Sequence, residues 1–280
     1  MKRENKESIN LAPEKILEDI CRYPWKHYLK PFQIAPKVFY VSGNDWVGAY
    51  LIETEEGLIL IDTGMHETCY LLLESIRELG YTPYDIKKIL ISHAHIDHIG
   101  AAKTLKELIN AQIYIGKRDV ELLTKRKDLI LKEGYTCGDF VPDKVYEEEN
   151  PIIFGGIKIY TYSTPGHTPG CTSFIFERKD KEGKKYICGM HGGIGLNTLS
   201  RKYLKEKQLP LNLQNEFLES LLKLAKFEVD ICIPSHTNQI EILDLIPEDR
   251  KNFLPFVNKE IWHKLINERI EKIREILNEK

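Results

Sequence analysis

Residues 93–98 read HAHIDH and place three imidazoles and a carboxylate (His93, His95, Asp97, His98) side by side, directly after an apolar run. Imidazole nitrogen and carboxylate oxygen are the ligands that borderline cations such as zinc accept. The stretch contains no lysine or arginine to stand in for a cation. Without a cation, clustered imidazoles repel one another on protonation and lose solvation when buried. The plain alternative is a polar surface loop that happens to be rich in histidine. A closed metal site needs donors from elsewhere, and two further segments repeat the design. His167 lies in STPGHTPG and His236 in IPSHTN, each just after an apolar run. Pro165, Gly166, Pro169 and Gly170 fix the first of these loops and let its backbone approach an ion closely.

These segments must be carried by strands. Apolar and β-branched runs predict strands at Val38–Ser42, Val47–Thr54, Leu58–Asp62, Lys88–Ser92, Gln112–Gly116, Ile157–Tyr162, Thr172–Glu177, Lys184–Gly189 and Asp230–Pro234. The first three are joined by tight turns and form an antiparallel meander. Helical periodicity covers about 66–79, 101–109 and 212–225. The last segment, Asn258–Lys280, is amphipathic, with Ile261, Trp262, Leu265, Ile270, Ile273 and Leu277 at helical spacing. It reads as a helix docked on the body of the protein, with a subunit contact as the other reading. Alternation of this kind gives an α/β (α+β) protein with mixed sheets covered by helices. The HAHIDH cluster falls on a strand-to-helix loop, where open α/β sheets place ligands. His93 and His95, two apart, project the same way from extended backbone. Each histidine segment caps a strand, so all three can meet at one sheet edge.

Composition narrows the setting. The chain has 280 residues, 42% hydrophobic and 29% charged, with a formal net charge of −2. That balance gives no reason to expect nucleic acid or an anionic membrane as partner. No run reaches the roughly 18 apolar residues that a membrane-spanning helix needs. The polar N-terminus lacks the apolar core of a secretory signal, so the expected location is cytoplasmic. The six cysteines form no CxxC pair and are expected as reduced, packed thiols.

HAHIDH, STPGHTPG and the late SHTN together resemble the metallo-β-lactamase superfamily, and LIDTG at 60–64 resembles its early-strand motif. The similarity covers about residues 32–240. It implies an αββα sandwich of two mixed β-sheets, with residues 1–31 as an N-terminal extension and 241–280 as a C-terminal helical segment packed on the domain. It implies two zinc ions, with iron or manganese as alternatives. His93, His95 and His167 would hold the first ion, and Asp97, His98 and His236 the second. Asp97 would also be catalytic, holding a metal-bound hydroxide in line and passing its proton. Such a site hydrolyses a lactam, lactone or related activated ester or amide. The implied partner is a small-molecule substrate, and a homo-oligomer is the further expectation. The alternatives are an iron-binding redox member of the superfamily and a non-catalytic metal-binding module.

Many hydrolases of the superfamily carry a bridging aspartate on the strand after GHTPG; here that strand reads KKYICGMHGGIG and the position falls on Met190. A thioether suits two hard divalent ions poorly. The pattern, together with segments 31–64 and 80–100, is closest to the third subclass of metallo-β-lactamases, which lacks that aspartate. No evident cation follows Met190 to hold a substrate carboxylate, leaving Arg201 or Lys202. Five residues are expected to support the ligands or touch substrate: Asp62, His66, Met190, His191 and Trp46. Cys188, on the Met190 face, is a weaker metal candidate. Trp25, Tyr28, Tyr135 and Phe140 are candidates to line or cover the mouth.

Overall fold

A computed structural model describes residues 13–130, 135, 137–148 and 150–278. Helix α1 (Pro13–Arg22) leads into strands β1 (Phe32–Ala35), β2 (Val38–Tyr40), β3 (Tyr50–Thr54) and β4 (Gly57–Ile61). Then come α2 (Cys69–Glu78), β5 (Ile86–Leu90), α3 (Ile96–Ile99), α4 (Ala102–Leu108), β6 (Gln112–Ile115), α5 (Asp119–Lys125) and β7 (Lys144–Val145). The second half runs through β8 (Ile152–Phe154), β9 (Ile157–Ser163), β10 (Thr172–Lys179), β11 (Lys185–Met190), α6 (Arg201–Glu206), α7 (Leu213–Leu224), β12 (Ile231–Cys232) and α8 (Lys259–Asn278).

The first sheet has the order β1-β2-β3-β4-β5-β6-β7, antiparallel up to β4 and parallel from there. The second has the order β12-β11-β10-β9-β8, antiparallel except for the parallel β11–β12 pair. Both sheets are mixed, as the strand pattern predicts. Their facing sides interlock through Phe32, Ile34, Tyr50, Ile61, Ile159, Phe174, Phe176 and Met190. On the outer side of the first sheet Leu72 and Ile76 of α2, Leu105 of α4 and Leu122 of α5 cover Leu60, Ile89 and Ile113. On the outer side of the second, Phe217 and Leu221 of α7 and Trp262, Leu265 and Ile266 of α8 cover Ile175 and Cys232. The result is four layers, αββα. β10 is buried along most of its length rather than in alternation, because helices cover one face and the other sheet covers the second.

The predicted strands are present but their ends move. The run expected at 47–54 pairs only from Tyr50, and Val47 makes an isolated bridge to His236 instead. The run at 88–92 pairs over Ile86–Leu90, which frees Ile91–His95 as loop. The helix expected from His66 begins at Cys69, after a 3-10 turn over His66–Thr68. The short elements α5, α6, β1 and β8 carry too little periodicity to be read in advance, whereas α1, with Ile16, Leu17, Ile20 and Cys21 at helical spacing, is missed by the sequence reading. α8 packs on α7 and β12 through the stripe that its spacing predicts, and Trp262 Nε1 donates to the Leu224 carbonyl at 3.2 Å. Glu279 and Lys280, the end of the predicted helix, lie outside the described residues. Among those described, no helix is long and apolar enough to cross a membrane.

Candidate metal centre

The site grows from the ends of β4 and β5. Asp62 follows β4 with φ at +57°, a left-handed turn that points its carboxylate across to the end of β5. Its Oδ1 accepts from the Ser92 amide at 2.7 Å, and its Oδ2 accepts from Ser92 Oγ at 2.7 Å and from His98 Nδ1 at 2.8 Å. This fixes two tautomers. His98 carries its proton on Nδ1, so Nε2 keeps the lone pair. Ser92 Oγ, whose hydroxyl hydrogen is engaged with Asp62, accepts from His93 Nδ1 at 3.1 Å. The lone pair of His93 is therefore on Nε2, which is buried without a hydrogen-bond partner among the described residues.

His167 is set in the same way. Its Nδ1 donates to the Gly195 carbonyl at 3.1 Å, and Nε2 faces His95 Nδ1 at 3.1 Å. The glycine run after β11 makes this possible: a Cβ on Gly193 would lie 2.7 Å from His167 Cδ2. His236 follows β12 in a turn docked on residues 44–48. Thr237 donates its amide to Trp46 O and its hydroxyl to Asp45 O, at 2.8 and 2.6 Å. The Trp46 ring packs on the His236 ring with centroids 4.6 Å apart. His236 Nε2 lies 3.3 Å from His98 Nε2 and 3.4 Å from Asp97 Oδ2, and its Nδ1 has no partner among the described residues.

The six residues nominated from sequence thus gather as two groups, His93–His95–His167 and Asp97–His98–His236, the donor atoms of each within 4.8 Å of one another. Burial, then the neighbouring histidines, hold His93 well below the usual imidazole range. Burial brings His167 and His236 down to about 4. Burial opposes the charge on Asp97, but His98, His236 and His95 outweigh it and bring its pKa down to about 2. Burial also opposes protonation of His98, where Asp97 and Asp62 prevail and raise it. A cation fits this donor set. Imidazole nitrogens and one carboxylate converge on two common points, His93 Nε2 is buried with no partner among the described residues, and three-donor groups of nitrogen and oxygen suit zinc.

The remaining nominated residues divide. Asp62 supports His98 and, through Ser92, His93; Trp46 walls His236. His66 is exposed in the 3-10 turn and stands outside both groups. Met190, expected to support the ligands or touch substrate, is fully buried in the core between the sheets, with Cys188 on the same face. His191 alternates to the other face, as a continuing strand requires. It is buried 5.8 Å from Phe217, its Nδ1 accepting from the Gly193 amide, and it joins neither donor group. Arg201 and Lys202 are exposed. Trp25 is 63% exposed and sets its ring edge against Tyr23, and the Tyr28 hydroxyl donates to Glu78. Helix α1 approaches the HAHIDH loop, with Leu17 and Ile20 packed on Val47, Met65 and Ile96. Sequence reasoning overlooked Asp119, which is fully buried beneath both the HAHIDH and GHTPG loops. Burial pushes its carboxyl up to about 6, against hydrogen bonds from Thr168 and two amides. The signal was present: GKRD follows β6, the next strand whose C-terminal end reaches this sheet edge.

Residues 47–180 match the family model of the metallo-beta-lactamase superfamily. A hydroxyacylglutathione hydrolase, GloC of Haemophilus influenzae, is 30% identical over 57% of this chain and 77% of its own length. An N-acyl homoserine lactonase of a Bacillus species is 27% identical over 68% of this chain and 73% of its own. Matches to curated relatives cover 65–77% of their lengths. The native FEZ-1 metallo-beta-lactamase of Legionella gormanii superposes with a TM-score of 0.81 at 27% identity, over 90% of this chain and 96% of that one. Subclass B3 enzymes at 22–24% identity share the fold at TM-scores of 0.79–0.80. With its four layers and its two donor groups at one sheet edge, the chain belongs to the metallo-β-lactamase superfamily.

Proposed function

We propose that this protein is a zinc-dependent hydrolase of an activated carbonyl compound: a lactam, a lactone or a related ester or amide. The observation that carries the reading is the convergence of six donors from three distant segments, with His93 Nε2 buried and without a hydrogen-bond partner among the described residues. His93, His95 and His167 would hold one zinc ion, and Asp97, His98 and His236 a second. Zinc held by such donors supplies Lewis acidity, which makes water a nucleophile near neutral pH. The chain supplies the rest. Asp62, Ser92 and the Gly195 carbonyl fix which nitrogen of His98, His93 and His167 stays unprotonated. Asp97 is the carboxylate among the donors and lies 3.4 Å from His236 Nε2, placed to hold and pass a proton. Trp46 gives the His236 side an apolar wall. The relatives' named activities on hydroxyacylglutathione and N-acyl homoserine lactone support ester-like carbonyls as the substrate class.

The test is a panel of lactams, lactones, thioesters and phosphodiesters presented to zinc-loaded protein. At least one carbonyl class is hydrolysed, chelation abolishes turnover and zinc restores it. Asp97→Asn lowers kcat by about a hundredfold or more. A protein that holds two zinc ions and turns over no member of the panel is a metal-binding module and not this hydrolase. Iron in place of zinc in the purified protein points to redox chemistry.

A further inference from the structure

We propose that Asp119 is a positioning residue for the three-histidine group, its carboxylate tying the loop that carries His93 and His95 to the loop that carries His167. The inference rests on the zinc reading above and assigns a residue that the reading does not use. Asp119 stands at the turn from β6 into α5, with its side chain fully buried. Oδ2 accepts from the amide of Ala94, the residue between His93 and His95, at 2.8 Å. The same oxygen accepts from the hydroxyl of Thr168, the residue after His167, at 2.7 Å. Oδ1 accepts from the Gly170 amide at 2.6 Å. One carboxylate thus accepts three hydrogen bonds from two loops that are more than seventy residues apart in sequence.

Two features make the contact specific. Gly170 presses its backbone on the carboxylate: a Cβ there would lie 2.7 Å from Asp119 Cγ. All three partners are donors, so an acceptor-only group is matched, and an amide in its place turns an NH2 toward at least one N–H. Asp119 reaches neither His98 nor His236. Those are held by Asp62 and by the 44–48 turn. Asp62 also reaches His93 through Ser92, so it serves both groups, whereas the contacts of Asp119 run only to the loop segments beside His93, His95 and His167, and its loss loosens that group selectively. Residues that orient ligands from behind commonly change metal affinity by about 10- to 100-fold.

The experiment is a zinc titration against a chromophoric chelator, with melting of the metal-free protein as a parallel measurement. Wild-type protein binds two zinc ions. Asp119→Asn loses affinity for one ion by about tenfold or more while keeping the other within about threefold. Adding His236→Ala to Asp119→Asn removes the retained ion, whereas adding His167→Ala leaves it in place. Thr168→Val, which takes one donor from Oδ2, weakens the same ion by less and decides the matter if Asp119→Asn does not fold. Unchanged binding of both ions by the variants overturns the proposal. Equal weakening of both ions, alongside earlier melting of the metal-free protein, overturns it too, because Asp119 is then a general stabiliser. A wild-type chain that binds no zinc removes the hydrolase reading itself, and this inference with it.

Discussion

Asp62 shows how one residue trades backbone comfort for organisation. A non-glycine residue with positive φ is uncommon, although aspartate tolerates it better than most. That conformation lets its carboxylate take the Ser92 amide, the Ser92 hydroxyl and His98 Nδ1 together. Replacement by alanine leaves buried donors unpaired, at about 1–3 kcal/mol each, and frees the His98 ring to turn. Asp62→Ala is therefore expected to weaken zinc at the Asp97–His98–His236 group by about 10- to 100-fold, read by chelator competition. Equal affinity in variant and wild type would show that the ring is held by packing alone. The LIDTG motif made Asp62 visible in advance. Asp119 was overlooked, because only its place after β6 marks it and its partners, two amides and the Thr168 hydroxyl, are 25 to 51 residues away.

At the scale of elements, α1 is tied to the site by one histidine. His27 Nε2 meets Asp19 of α1 at 2.7 Å, and Nδ1 meets Asp45 of the turn that holds the His236 loop at 3.0 Å. Two carboxylates facing both ring nitrogens require both to carry protons. The Asp45 hydrogen bond raises the His27 pKa above its ordinary 6.5, burial opposes, and Asp19 adds to the rise. A raised folded-state pKa gives stability that is complete below the unfolded value and is lost as pH rises through the folded one. Wild type should therefore melt above His27→Gln by a margin that is widest at acidic pH and narrows through neutral to alkaline pH. A margin that stays constant across that range would mean that His27 contributes packing and no charge. No motif marks His27 in the sequence, neither aspartate is within helical reach of it, and their meeting depends on the folded turn.

At the scale of the molecule, two mixed sheets bring the ends of β4, β5, β9 and β12 to one edge, and the functional loops leave from there. Because the donors come from both sheets, an ion held between them would cross-link the halves of the fold and favour the native state over the unfolded chain. Free zinc at about a hundred times its dissociation constant should add roughly 2.7 kcal/mol to stability. Chelation should lower the melting temperature and re-addition of zinc should restore it; melting indifferent to both would separate the donor cluster from metal binding. Residue types and short spacings settled much of this from sequence. HAHIDH, GHTPG and SHTN specified the chemistry of the donors, and strand periodicity placed them at strand ends, because lone pairs and the two-residue repeat are local properties. What the fold decided is everything that depends on long-range approach: that Met190 faces the inter-sheet core and His191 packs beside Phe217, that α1 packs on Ile96 of the HAHIDH loop, and that Asp119 joins two loops. Those outcomes follow from which surfaces the sheets and helices bury against each other, and no local pattern of residues encodes that.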